Sequence, residues 1–231
     1  MTLDLGAAER AIRRGRIIGL IALAGLALLF VLALRFTPAE RVQGMVQKVV
    51  YLHAPAGWGM LMAFFIVGVV SILFLWLRDE RLDLFAQSSA EVGLFFGALL
   101  LTTGPIYGAG AWGKWWDWEP RLTFTLIEVL LFCGYFALRS AIRDPAERAR
   151  FAAVIGIMGM LLVPFIHLTV YLFNGLHPQP VVLRPSRPEM PSAMLRVFPA
   201  GMIVFTVMYV GFVMQRYGIA VRDALREAVD A

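Results

Sequence analysis

An all-α, polytopic membrane protein with six transmembrane helices is the fold class this sequence predicts, and three observations predict it. Of 231 residues, 60% are hydrophobic and only 16% charged, with a mean hydropathy of +0.74; soluble domains run near 45–50% apolar and about 25% charged. The apolar residues gather in runs of about 20, the length a helix needs to cross a hydrocarbon core of roughly 30 Å. Short alternating segments of the kind a β-barrel requires are absent, and in lipid the remaining way to satisfy every backbone group is the helix.

The spans are expected at about 17–34, 58–77, 91–110, 122–138, 151–173 and 197–215. The first follows Arg10, Arg13, Arg14 and Arg16; its length, and the lack of a small-residue cleavage site after it, read as a retained span rather than a signal peptide. His53 and Pro55 lie where the second begins, and Glu91 where the third begins. Pro120 suits the first helical position of the fourth, with Glu119 near that helix's positive end. The fourth also carries Glu128 and the single cysteine, Cys133, which reads as a packing residue and can form neither an intrachain disulfide nor a CxxC pair. His167 lies within the fifth. With no internal repeat or soluble insert, residues 1–231 are expected to form one six-helix domain, with outer loops at about 35–57, 111–121 and 174–196.

Basic residues orient the spans. The two tails and the even loops hold 13 of the 21 Lys and Arg residues, the odd loops eight, which places both termini in the cytoplasm. The net charge of +5 is thus a topology signal; no basic-aromatic nucleic-acid motif accompanies it. Three stretches then meet on the outer face: YLHAPAGW (51–58), WGKWWDWEPRLT (112–123) and FNGLHPQP (173–180).

The second stretch holds four of the six tryptophans. One or two at a membrane rim are ordinary, and Trp58 and Trp76 read that way. On helical spacing Trp112, Trp115, Trp116 and Glu119 share a face, with Trp118 turned away. Such a surface suits a flat, polarizable ligand or a partner protein. His53 and His177, each an ordinary interfacial residue taken alone, could approach one ligand from two sides. With no cysteine and no third outer histidine, they suit haem better than a closed zinc site. His167, ten residues before His177, is expected roughly 15 Å deeper, away from that rim, as a neutral residue bonded between helices.

These residues resemble the CcmC family, within the wider superfamily of haem-handling membrane proteins. The family's outer motif W-G-x-W-W-x-W-[D]-x-R-L-T is matched by Trp112 to Thr123, its YLH-x-P by Tyr51 to Pro55, and its N-x-L-H by Asn174 to His177. The chain departs from the pattern at Glu119, where the family has Asp, at Leu172 and Phe173, where it has tryptophans, and at Pro178, where Gln is usual. The resemblance implies b-type haem held between His53 and His177, with Trp112, Trp115, Trp116 and Trp118 as platform and partner surface. It implies presentation of the haem, at the periplasmic face of the bacterial inner membrane, to a membrane-anchored haem chaperone that bonds it covalently during cytochrome c maturation. An ABC-type ATPase complex with its membrane subunits is the implied partner assembly. Lys114, Arg121 and Arg184 are candidates for the haem carboxylates, Arg for its planar fork. Such a chain delivers haem and is not a conventional enzyme.

Two other classes remain open. A permease for haem or another substrate would need a polar path through the spans, for which His167, Glu128 and Glu91 are the available residues. A fixed b-haem electron carrier would need histidine pairs within the spans, where only His167 stands.

Overall fold

The computed structural model describes residues 3–173, 175–177, 182 and 186–230. Among the described residues, six helices are long and apolar enough to cross a membrane. They are α1 (Leu5–Phe36), α2 (Val50–Leu77), α3 (Glu80–Trp112), α4 (Pro120–Ala141), α5 (Pro145–Leu172) and α7 (Phe198–Asp230), with a short α6 (Ser192–Leu195) before the last. A 3-10 turn, Met45–Val49, leads into α2.

Helix limits follow caps rather than hydropathy. Asp4 accepts from the N–H groups of Gly6 and Ala7 and starts α1, Asp79 accepts from Arg81 N–H and starts α3, and Asp144 accepts from Glu147 N–H and starts α5. Hence α3 begins at Glu80 rather than near 91, and α7 runs to Asp230 rather than 215. At 1.5 Å per residue a 33-residue helix is about 50 Å long, well beyond the hydrocarbon core. Capped polar turns extend α1, α3 and α5 beyond their apolar runs, where hydropathy carries no signal. The second span, expected from 58, starts at Val50 and takes His53 and Pro55 into its first two turns. A proline there removes little, because early helical N–H groups lack intrahelical partners anyway.

Close packing comes from small residues. A Cβ on Gly15 of α1 would sit 2.6 Å from Gly211 O of α7, so these two helices touch backbone to backbone. Gly156 of α5 instead admits the side chains of Ser71 and Val67 of α2, whose Oγ and Cγ1 would lie 2.7 and 2.9 Å from a Cβ there. Helix α2 is central: Ala56, Met60, Ala63, Phe64 and Val67 are fully buried, and the Phe64 ring stacks on Phe132 of α4 with centroids 3.7 Å apart. At the end away from the tryptophans, Arg139 of α4 donates to both carboxylate oxygens of Asp83 on α3, at 2.7 and 2.8 Å, and to Gln87 at 2.8 Å.

Two expectations inside the spans change. Glu91, expected where the third span begins, lies well inside α3 and pairs with Arg216 of α7. Cys133 is exposed on the outer surface of α4 rather than packed inside.

Candidate functional site

The tryptophan stretch is not helical, which corrects the face-sharing expected from helical spacing. Helix α3 stops at Trp112 because Gly113 takes a left-handed conformation (φ 74°), its N–H bonding Ala109 O at 3.1 Å. The chain then runs without helix to Glu119, and Pro120 opens α4 at its first position, as the sequence suggested. A glycine is needed beneath this crossing: a Cβ on Gly108 would lie 2.8 Å from Lys114 O. Trp118, expected to turn away from Trp116, instead meets it edge to face, with centroids 5.7 Å apart.

The loop roofs a cavity of about 350 Å³ at this end of the bundle, within the range of roughly 300–1,000 Å³ usual for small-molecule and cofactor sites. Its walls come from α2, α3, α4, α5, the start of α7 and the loop after α5, and they are mostly apolar. His53, His177, Trp112, Trp115, Trp116 and Arg121 all line it. Trp118 does not; it is 73% exposed and points outward from the roof. Lys114 lines the cavity but is paired with Asp117 at 3.1 Å, which leaves, among the described residues, Arg121 as a half-buried cation facing the interior. Arg184, Asn174 and Pro178 fall outside the described residues.

His167 also lines this cavity, contrary to its expected separation from the rim. The cavity extends down between the helices as far as Thr125, Ile166 and Met60, so one space is reached by histidines at two depths. One turn below Thr125, Glu128 is fully buried, and neither carboxylate oxygen has a hydrogen-bonding partner among the described residues.

His53 and His177 are each held by ring or backbone. The imidazole of His53 lies against α3, where a Cβ on Gly104 would touch its Cε1 at 3.2 Å, and its Nδ1 is 3.0 Å from Thr103 Oγ1. The backbone N–H of His177 donates to Glu119 Oε2 at 3.2 Å. Glu119 stands at the N-cap position of α4 yet makes no side-chain cap bond; its carboxylate instead reaches the loop after α5, so close to Gly175 that any side chain there would overlap it. The carboxylate thus joins the tryptophan loop to the histidine loop, a role that position alone did not suggest.

Three further residues belong to the site. Tyr107 stands edge to face with Trp112 at 5.4 Å, lies 6.3 Å from the His53 ring, and donates to Gln43 at 2.7 Å. Trp58, read from sequence as a rim residue, lines the cavity and donates from Nε1 to Thr206 of α7 at 3.1 Å. Thr103 holds His53. Thr103 and Tyr107 are four apart on one face of α3, a signal visible only once His53 is known to pack there.

The donor set fits haem on its own terms. The imidazoles of His53 and His177 come from separate elements to a largely apolar cavity with aromatic walls and, among the described residues, the inward cation Arg121. Among the described residues, no group of three or more His, Cys, Asp or Glu is arranged to hold a bare metal ion.

Comparison with known proteins places the chain among similar sequences. The family model CcmC, described as Heme exporter protein C, matches residues 7–229. A Heme exporter protein C of Bradyrhizobium diazoefficiens is 34% identical over 177 residues, covering 75% of this chain and 66% of the relative. One of Haemophilus influenzae is 30% identical over 200 residues, covering 86% of this chain and 81% of the relative. One of Escherichia coli is 32% identical over 142 residues, 62% of this chain and 58% of the relative. The chain therefore spans less than two thirds of the length of the Bradyrhizobium and Escherichia proteins.

Proposed function

The chain belongs to the CcmC family, Heme exporter protein C, as the match over residues 7–229 shows, and we propose that it holds b-type haem at the periplasmic face of the bacterial inner membrane and presents it to a membrane-anchored haem chaperone for cytochrome c maturation. The observation that carries this reading is the convergence of His53, on α2, and His177, beyond α5, on one apolar cavity roofed by Trp112, Trp115 and Trp116.

Haem, when bound, would supply an iron that imidazole can ligate and a macrocycle that can be attached covalently. The chain supplies binding and placement. His53 and His177 would hold the iron. The tryptophans cover the macrocycle and exclude water, and Arg121 receives a carboxylate through its planar fork. Lying outside the cavity, Trp118 is free to meet the chaperone, since exposed tryptophan is a frequent interface anchor. The ATPase and membrane subunits of the maturation complex dock on the same protein.

The test is an absorption spectrum of the purified protein before and after reduction. His53→Ala and His177→Ala should each deplete copurified haem, and added imidazole should partly restore it by filling the vacated axial position. His167→Ala should leave the spectrum nearly unchanged. A second reading, a permease, draws support from the depth of the cavity, whose wall includes His167, with buried Glu128 one turn below Thr125. If His167 proves necessary for haem retention while His53 is dispensable, the permease reading replaces the first.

A further inference from the structure

Thr103 stands between two groups that compete for one hydrogen. Its Oγ1 lies 2.8 Å from the carbonyl oxygen of Leu99, one turn back on α3, and 3.0 Å from Nδ1 of His53 on α2. A carbonyl can only accept, and a hydroxyl has a single hydrogen. Both contacts can be hydrogen bonds together in one direction alone. The hydroxyl donates to Leu99 O, and its oxygen accepts from an N–H on His53 Nδ1. In neutral imidazole the second ring nitrogen, Nε2, is then bare and carries the lone pair.

The packing fixes where that lone pair lies. Thr103 is buried, which shields its hydroxyl from most solvent. The Nδ1–Cε1 edge of the ring is pressed onto α3 at Gly104, where the absence of a Cβ lets it approach. Nε2 is on the other side of the ring from Nδ1, away from Thr103, and His53 is a wall of the cavity.

We infer that Thr103 is a positioning residue that sets the tautomer of His53, holding Nδ1 protonated so that Nε2 is ready to bind iron before haem arrives. The inference rests on the haem-ligation reading for its purpose, but the tautomer is a property of the haem-free chain. Partners of this kind orient a ligating histidine and raise its basicity, and their loss typically weakens metal binding roughly 10–100-fold. The site would otherwise lose part of its affinity to the population of the wrong tautomer.

Two substitutions separate the roles. Thr103→Val keeps shape and removes the acceptor; Thr103→Ser keeps the hydroxyl and alters the packing. In haem-free, ¹⁵N-histidine-labelled protein, with His53 assigned by loss of its signals in His53→Ala, wild type and Thr103→Ser should show a protonated Nδ1 and a bare Nε2. Thr103→Val should lose that preference. In haem titrations Thr103→Val should bind roughly 10–100-fold more weakly. Its haem should have a higher reduction potential than wild type, because a less basic imidazole stabilises ferric iron less, while Thr103→Ser should stay near wild type in both. The inference is overturned if wild-type His53 carries its proton on Nε2, a result that needs no variant to fold. It is also overturned if folded Thr103→Val keeps the wild-type tautomer. If instead His53→Ala binds haem as tightly as wild type, the ligation reading falls, and the nitrogen shifts still decide the tautomer on their own.

Discussion

The carboxylate of Glu119 takes the backbone N–H of His177 and fills the space over Gly175, so one side chain sets how far the histidine loop stands from the tryptophan loop. A hydrogen bond from a backbone N–H to a carboxylate contributes about 1.5–3 kcal/mol, and here it positions a residue proposed as a haem ligand. Glu119→Ala should lower the haem-to-protein ratio toward that of His177→Ala. Glu119→Gln, which keeps an acceptor oxygen, should retain most of it. Equal haem content in Glu119→Ala and wild type would remove the clasp from the account. The tryptophans divide at the same scale. Trp112, Trp115 and Trp116 border the cavity, whereas Trp118 is on the far side of the roof. Trp118→Ala should keep haem and lose copurification of the chaperone. Substitutions at the other three should misplace the haem and slow its covalent transfer, because small displacements strongly slow a bond-forming step. Parallel loss of haem, pull-down and transfer in all four variants would mean the stretch acts as one unit.

Among the elements, α3 and α4 are the pair that the tryptophan loop joins, and their far ends are locked by the Asp83–Arg139 pair. Both side chains are nearly inaccessible, and the guanidinium also bonds Gln87. Removing one partner strands the other charge, a loss of about 3–5 kcal/mol. Arg139→Met should therefore lower the unfolding temperature of the purified protein clearly more than Arg143→Met, whose side chain is outside this pair; similar shifts would show the pair to be dispensable. The loop between α1 and α2 acts on the same cavity through Gln43, which receives the hydroxyl of Tyr107. Glu40 turns that loop by accepting from Val42 and Gln43 N–H, and these bonds hold its carboxyl below the usual carboxylate range. A depressed folded-state value gives a contribution that is present above the unfolded-state pKa and lost as pH falls through the lower, folded one. Hydrogen exchange at Val42 and Gln43 should therefore be protected at neutral pH and lose protection on acidification, and Glu40→Gln should already be less protected at neutral pH. Unchanged protection in that variant would show that another contact shapes the turn.

For the whole molecule, the proposed orientation follows from 13 basic residues on one side against eight on the other. Reporter fusions after residues 45, 115 and 185 should read as periplasmic, and fusions after 85 and 145 as cytoplasmic; a cytoplasmic signal at 115 would put the cavity mouth on the wrong face for a periplasmic chaperone. The six apolar runs, the proline that opens α4, and the residue types of the site were all legible in the sequence, because hydropathy, fixed backbone angles and side-chain chemistry are local properties. Helix ends were not, since caps such as Asp79 act by geometry and leave no apolar trace. The shape of the tryptophan stretch was misjudged for a related reason: a single left-handed glycine, Gly113, ends the helix that the spacing had implied. Only the tertiary structure decided that His167 shares the cavity, that Trp118 does not, and that Thr103 and Glu119 hold the two outer histidines. The last two depend on contacts between residues 50 and 58 apart in the chain, made where α3 admits the His53 ring at Gly104 and where the loop after α5 admits Glu119 at Gly175, and no periodicity along one segment carries the distance between two.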